Sequence, residues 1–162
     1  MIVRLETPAN IAAIRIVEEI AFGRHDEAQL VDGLRAAGDA VFSLAAEEQG
    51  IVAGHAMFSR MTAPFPALAL GPIAVLPEYR RMGIASQLIR EGITHSEAAG
   101  WAGIFVLGDP AFYRRFGFKI GKASGFTSPY AGPHLMALSL GGNELPADEG
   151  IIEYAPAFAR LG

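Results

Sequence analysis

The chain has 162 residues, 51% of them hydrophobic, a net charge of −4 and no cysteine. That length and apolar content fit one folded domain, residues 1–162, with a core of its own. The mild acidity removes the electrostatic basis for nucleic-acid binding, no apolar run reaches the ~20 residues that span a bilayer, and the missing thiols exclude disulfides and thiolate catalysis.

The opening "MIVRLETPAN" lacks the basic and then apolar layout of a signal peptide, so a cytoplasmic setting is expected. Ile2–Leu5 reads as a short strand. Thr7 and Pro8 supply a helix start, a hydroxyl cap followed by proline in the first turn. Behind them Ile11, Ile14, Val17 and Ala21 recur at helical spacing and predict one packed face. A second helix is predicted from about Glu27 to Ala36, with Asp26 as its cap and Gly38 beyond its end. Val41–Ala46 and Ile51–Phe58, parted by polar residues and Gly50, read as an antiparallel hairpin.

Two prolines in "TAPFPA" break the pattern. Leu68–Val75 is nearly all apolar, as in a strand buried on both faces, and Gly71-Pro72 inside it predicts a bulge. After Gly83, Ala85, Leu88, Ile89 and Ile93 form an apolar helical stripe that Gly100 ends. Gly103–Gly108 is a second buried strand, so residues 68–108 form a crossover that favours two neighbouring parallel strands. A short helix over Pro110–Arg115, the segment "FGFKI", a Pro/Gly-rich span from Ser124 to Pro133 and the strand "LMALSL" follow. The last stretch reads as loop, with a final strand at Ile151–Tyr154.

The segment "RRMGIA" opens a helix at the end of a buried strand, where unpaired N–H groups and the positive end of the helix dipole favour an anion. Gly83 lets backbone approach a ligand, Ala85 keeps the next turn open, Arg80 and Arg81 bring charge, and Ser86 has a hydroxyl to donate. A plain turn with solvated arginines is the other reading. Two phosphate motifs fail. There is no G-x-G-x-x-G triplet, and Gly121-Lys122 is followed by Ala123 with Phe116 where a P-loop needs glycine.

"YRRMGIASQLI" resembles the acetyl-CoA loop of the GCN5-related N-acetyltransferases (GNAT), whose pattern Gln/Arg-x-x-Gly-x-Gly/Ala is filled here by Arg80, Gly83 and Ala85. "LGPIAVLPEYR" resembles that family's central strand and lead-in, and "GDPAFYRRFGF" its second signature, a short helix bearing tyrosine and then Gly-Phe. The finer match, with "AGHAMFS" and "EYAPAF", is to the YhbS-like branch. The resemblance covers residues 50–118, with weaker agreement at both ends.

The resemblance implies an α/β fold (α+β by some schemes). Its mixed central sheet would have about six to seven strands, with two splayed parallel strands at the centre and about four flanking helices. It also implies acetyl-CoA as co-substrate, no metal, and a small-molecule or peptide amine as acceptor; homodimers are common in the family. Neither nucleic acid nor a membrane is an expected partner. Two rival readings keep the same cradle: a non-catalytic acyl-CoA sensor, and an acyl-carrier-protein-linked transferase.

Carried over by position, the backbone of Ile73, Ala74 and Val75 would bind the cofactor's pantetheine arm. The N–H groups of Arg81, Met82, Gly83, Ile84 and Ala85 would hold its pyrophosphate, with Arg80 and Ser86 beside them. Tyr113, next to Phe112, takes the general-acid position, and the Val75 N–H polarises the thioester carbonyl. Asp109 either touches the cofactor or caps the Pro110 helix. The base has four candidates: Glu78, His55, Ser59, or a water. His25, His95 and His134 have no spacing that suggests a metal site. "TAPFPA" and "FTSPYAGPH", with Phe65, Tyr130 and His134, are the expected acceptor walls.

Overall fold

The structure is a computed structural model and describes residues 1–161. Strand β1 (Ile2–Leu5) leads into a one-turn 3₁₀ segment, Pro8–Asn10, before helix α1 (Ile11–Phe22) begins. The Thr7 N–H donates to Asn10 Oδ1 at 2.8 Å, which closes that turn and delays the α-helix by three residues. Helix α2 (Asp26–Ala36) starts one residue earlier than its sequence suggests. His25 holds the cap position, and Asp26 sits inside the first turn, where its charge meets the positive end of the helix.

Strands β2 (Ala40–Glu48) and β3 (Ile51–Arg60) form the predicted hairpin, longer than expected at its turn, where Glu47 and Glu48 join the ladder, and at its open end. Then come β4 (Ala67–Val75), α3 (Ile84–Ala98), β5 (Gly103–Leu107) and the short α4 (Pro110–Tyr113). Helix α5 (Ile120–Ala123) and strand β6 (Phe126–Thr127) lie where no element was expected, each too short to leave a periodic signal. Strand β7 (Leu135–Ser139) completes the main sheet. The last strand, β8, is Gly150–Ile151 rather than Ile151–Tyr154. Its partner β6 offers only two residues, so the ladder stops, and Glu153 instead bridges Thr62.

The sheet order is β1-β2-β3-β4-β5-β7, and only β4–β5 is parallel. Three full helices and two one-turn helices flank it, close to the expected count. One irregularity sets the geometry of the centre. Ala56 pairs with Ile73 and Phe58 with Leu70, so Met57 alone faces both Gly71 and Pro72. The extra residue reverses the faces of β4. Before it, Leu68 and Leu70 pack with Leu88 and Ile89 of α3; after it, Ile73 and Val75 turn to that side and Ala74 packs with Val17 of α1. Pairing of β4 with β5 runs from Ala67/Gly103 to Leu70/Val106 and ends at the same point. Beyond Leu70 the two parallel strands part.

Core packing covers β3 on both faces beside this split. On one side α3 lies against Phe58, close enough that a Cβ on Gly92 would be 2.1 Å from the ring's Cζ. Glycine inside a helix costs about 1 kcal/mol, offset here by a contact that a side chain would forbid. On the other side Leu30, Val31 and Leu34 of α2 close over Met57.

Candidate active site

The chain leaves β4 at Val75, makes a 3₁₀ turn over Pro77–Tyr79 and reaches α3 through two left-handed residues, Arg81 (φ 67°) and Gly83 (φ 80°). Arg81 carries a side chain in that region, a strain of roughly 1–2 kcal/mol. Such turns direct successive N–H groups to one side, and the first turn of α3 adds donors without intrahelical partners. The result is a hollow of about 280 Å³ whose lining includes Val75, Arg81, Gly83, Ala85, Ser86 and Phe112. A Cβ on Gly83 would meet nothing within 4 Å, so its surroundings are open and the turn itself requires the glycine. This form and charge suit a pyrophosphate.

Arg80 and Ile84 also border the hollow, whereas the Met82 side chain is 56% exposed and leaves only its backbone to the cradle. Arg80 has a second task. Its Nε donates to the Val75 carbonyl at 3.3 Å and its Nη2 to the Ala21 carbonyl at 3.1 Å, tying the end of α1 to the end of β4. Arg115 lies over the Phe112 ring, 4.7 Å from its centroid, and also borders the hollow. Arg114 and Glu78 are exposed and line neither the hollow nor the cavity beyond it.

Where β4 and β5 part lies a cavity of about 380 Å³. One wall is the split itself, with Leu70, Gly71, Pro72, Ile73 and Leu107. Tyr113 projects into it from α4, whose first turn is fixed by Asp109: the carboxylate accepts from the Ala111 N–H at 3.0 Å. Asp109 thus serves as the helix cap. The Tyr113 ring is clamped edge-on between Phe112 and Phe118, and burial pushes its phenol up to about 12, so it keeps its proton at neutral pH. Phe112 faces the hollow while Tyr113 faces the cavity, so α4 stands at the junction of the two.

The opposite wall comes from α1, α2, the loop between β6 and β7 and the C-terminal segment: Phe22, Glu27, Leu30, Tyr130, Tyr154 and Phe158. Of the expected acceptor residues only Tyr130 lines the cavity. Phe65 is buried instead against Phe105 and Phe126, and His134 sits outside, 3.3 Å from the Gly108 carbonyl. Glu27 was not singled out in the sequence, where it reads as an ordinary acid in the first turn of a helix. In the fold it is 4% exposed, and Arg24 holds it with bonds of 2.9 and 2.5 Å.

His55 lies elsewhere. It is wholly buried on the face of β3 that meets α1 and does not line the cavity. Its Nδ1 is 2.7 Å from Glu18 Oε2, and its Nε2 is 3.8 Å from Glu6 Oε1. Glu6 in turn accepts from Arg35 at 3.1 and 2.9 Å and from the Ser43 hydroxyl. Burial alone would push the imidazole pKa down, but the two carboxylates outweigh it and hold it above the ordinary value. Burial raises the Glu18 carboxyl. Ser59 is also buried, its hydroxyl without a hydrogen-bond partner among the described residues. Glu18 did carry a signal: it stands four residues after Ile14, on the apolar stripe of α1. Among the described residues there is no group of three His, Asp or Glu side chains that could hold a metal, and no helix is long and apolar enough to cross a membrane.

Comparison with known proteins shows the family and the fold. The profile described as "Acetyltransferase (GNAT) family" matches residues 8–118. The chain is 40% identical over 134 residues to "Uncharacterized N-acetyltransferase YjhQ" of Escherichia coli (strain K12), covering 77% of this chain and 74% of the relative. It is 31% identical over 167 aligned positions to "Uncharacterized N-acetyltransferase YhbS" of the same strain, covering 99% and 100%. Among solved structures, the YhbS protein from Escherichia coli in complex with CoA superposes with a TM-score of 0.92 at 30% identity, covering 99% of this chain and 93% of that one. A GNAT family acetyltransferase from Brucella melitensis in complex with acetyl-CoA superposes with a TM-score of 0.82 at 38% identity, covering 97% of each.

Proposed function

This chain belongs to the acetyltransferase (GNAT) family, and from that premise we propose that it transfers acetyl from acetyl-CoA to a primary amine by direct attack, with Tyr113 as general acid. The observation that carries the reading is the position of α4, which turns Phe112 toward the phosphate hollow and Tyr113 toward the cavity between the split strands. The complexes of two relatives with CoA and acetyl-CoA support the choice of cofactor.

In this reading the N–H groups from Arg81 to Ala85 hold the pyrophosphate, aided by the Ser86 hydroxyl and by Arg81 and Arg115. The edge of β4 from Ile73 to Val75, left without a β5 partner, accepts the pantetheine arm as an added strand. Acetyl-CoA supplies an activated thioester. The Val75 N–H polarises its carbonyl, and the amine attacks once it has lost a proton from its ordinary pKa of about 10.4. As the C–N bond forms and the C–S bond breaks, Tyr113 gives its proton to sulfur. The second amine proton then restores the phenol. His55, sealed beneath α1, acts as a buttress between α1 and β3, and the base is water in the cavity.

Release of free thiol from acetyl-CoA in the presence of an amine panel tests the proposal. Turnover that requires an amine and falls in Tyr113→Phe supports it. Tight acetyl-CoA binding with no amine-dependent release would favour the sensor reading.

A further inference from the structure

Glu27 is the one charged side chain among the described residues lining the cavity, and the rest of that lining is apolar or aromatic apart from backbone and phenol groups. Arg24 grips Glu27 through both oxygens, from outside the lining residues. A carboxylate offers about four acceptor sites, so the fork leaves capacity on each oxygen. Tyr154 lines the same cavity, and its hydroxyl is buried with no hydrogen-bond partner among the described residues. Its ring is fixed edge-on against Tyr130 and Phe158, with centroids 5.1 and 5.0 Å away. An orphaned buried hydroxyl costs about 1–3 kcal/mol, a cost that a ligand donor would relieve.

Resting on the acetyltransferase reading above, we propose that the acceptor is an arylalkyl amine, its ammonium group bound by Glu27 with Tyr154 accepting a second hydrogen bond, and its ring lying among Phe22, Tyr130 and Phe158. The cavity matches a single cation on an apolar body. A polyamine would bury a second cation with no carboxylate to meet it. An amino acid would bring its own carboxylate toward Glu27, a like-charge contact. Glu27 collects the ammonium form that dominates at neutral pH. One proton then leaves to solvent, and the neutral amine attacks as described above.

The test uses the full chain saturated with coenzyme A and measures equilibrium binding of phenethylamine, spermidine and phenylalanine, alongside thiol release from acetyl-CoA. Phenethylamine is expected to bind at least about tenfold more tightly than either competitor. Glu27→Gln should weaken it at least about tenfold, with coenzyme A affinity unchanged. Tyr154→Phe removes only the orphaned hydroxyl, so it should fold at least as stably as the wild type and bind the amine several-fold more weakly. A preference for spermidine or phenylalanine, or phenethylamine affinity that is the same in wild type and both folded variants, overturns the proposal. Phenethylamine binding that depends on Glu27 but gives no thiol release would leave the acceptor site standing and sink the catalytic reading instead.

Discussion

Tyr113 rests against the bare Cα of Gly108: a methyl group built there would lie 2.6 Å from the ring's Cε2. The two residues belong to consecutive elements, β5 ending at Leu107 and α4 opening at Pro110. The glycine is therefore what lets the phenol reach the cavity mouth. Gly108→Ala is expected to displace the ring and lower kcat by about tenfold to a hundredfold, while coenzyme A affinity stays within about threefold. Steady-state kinetics beside calorimetric binding separate the two effects; equal losses in both would contradict the acid role.

Tyr113→Phe keeps the ring and its contacts with Phe112 and Phe118 while removing the proton. A fall of about 10²-fold or more in kcat is expected, with the melting temperature nearly unchanged. Because burial holds the phenol at about 12, the wild type should show no loss of activity from this group as pH rises from 7 to 10. A descending limb in that range that vanishes in the Phe variant would place the phenol's pKa far lower than its burial requires.

Gly83→Asp tests the cradle. Nothing crowds the position, so the structural cost is the left-handed backbone alone, roughly 1–2 kcal/mol. The added carboxylate would sit at the hollow proposed to hold the pyrophosphate, and coenzyme A affinity should drop by at least about tenfold. Gly83→Ala, with the same backbone strain and no charge, should lose much less. Equal losses in the two would show that strain, not charge, governs binding there.

The buried pair of His55 and Glu18 should behave as a unit. Removing one partner strands the other, so Glu18→Leu is expected to cost about 3–5 kcal/mol, read by denaturant unfolding. The double substitution Glu18→Leu with His55→Leu should recover much of that loss, because no charge remains to be paired. A double variant no better than the sum of the singles would contradict the coupling.

Glu6 gives a pH signature. Burial works against its charge, yet His55, Arg35 and Ser43 together hold its carboxyl down to about 2 from an ordinary 4.5. A depressed carboxyl stabilises the fold above its unfolded value and loses that contribution as pH falls through the folded one. The wild type should therefore lose melting temperature between pH 4.5 and 2 more steeply than Glu6→Gln. Parallel curves for the two proteins would show that Glu6 carries no such linkage.

Legibility followed distance along the chain. The cradle was readable because its parts are contiguous: a strand end, two arginines, a glycine and the first turn of α3 all fall between Val75 and Ser86. The bulge at Gly71-Pro72 was readable too, since neither residue suits a regular ladder, and proline has no N–H to give one. Its consequence was not. Only the register with Met57 reveals that β4 turns over there, sending Ile73 and Val75 toward α3 and Ala74 toward α1.

The second half of the site depends on residues that only folding brings together. Glu27 and Tyr154 are 127 positions apart, and each looks ordinary where it stands in the chain. Phe65 and His134 had the right composition for an acceptor wall, but the aromatic cluster with Phe105 and Phe126 claimed one, and the other stayed outside the cavity. His55 is a lone histidine in its strand; its partners, Glu18 and Glu6, come from other segments that only folding brings to it. The sequence by itself determined where the hollow at the start of α3 forms, because helix starts and left-handed turns are local properties of backbone and neighbouring charge. The tertiary structure alone decided which side chains enclose the cavity, because burial and pairing belong to elements meeting across the sheet.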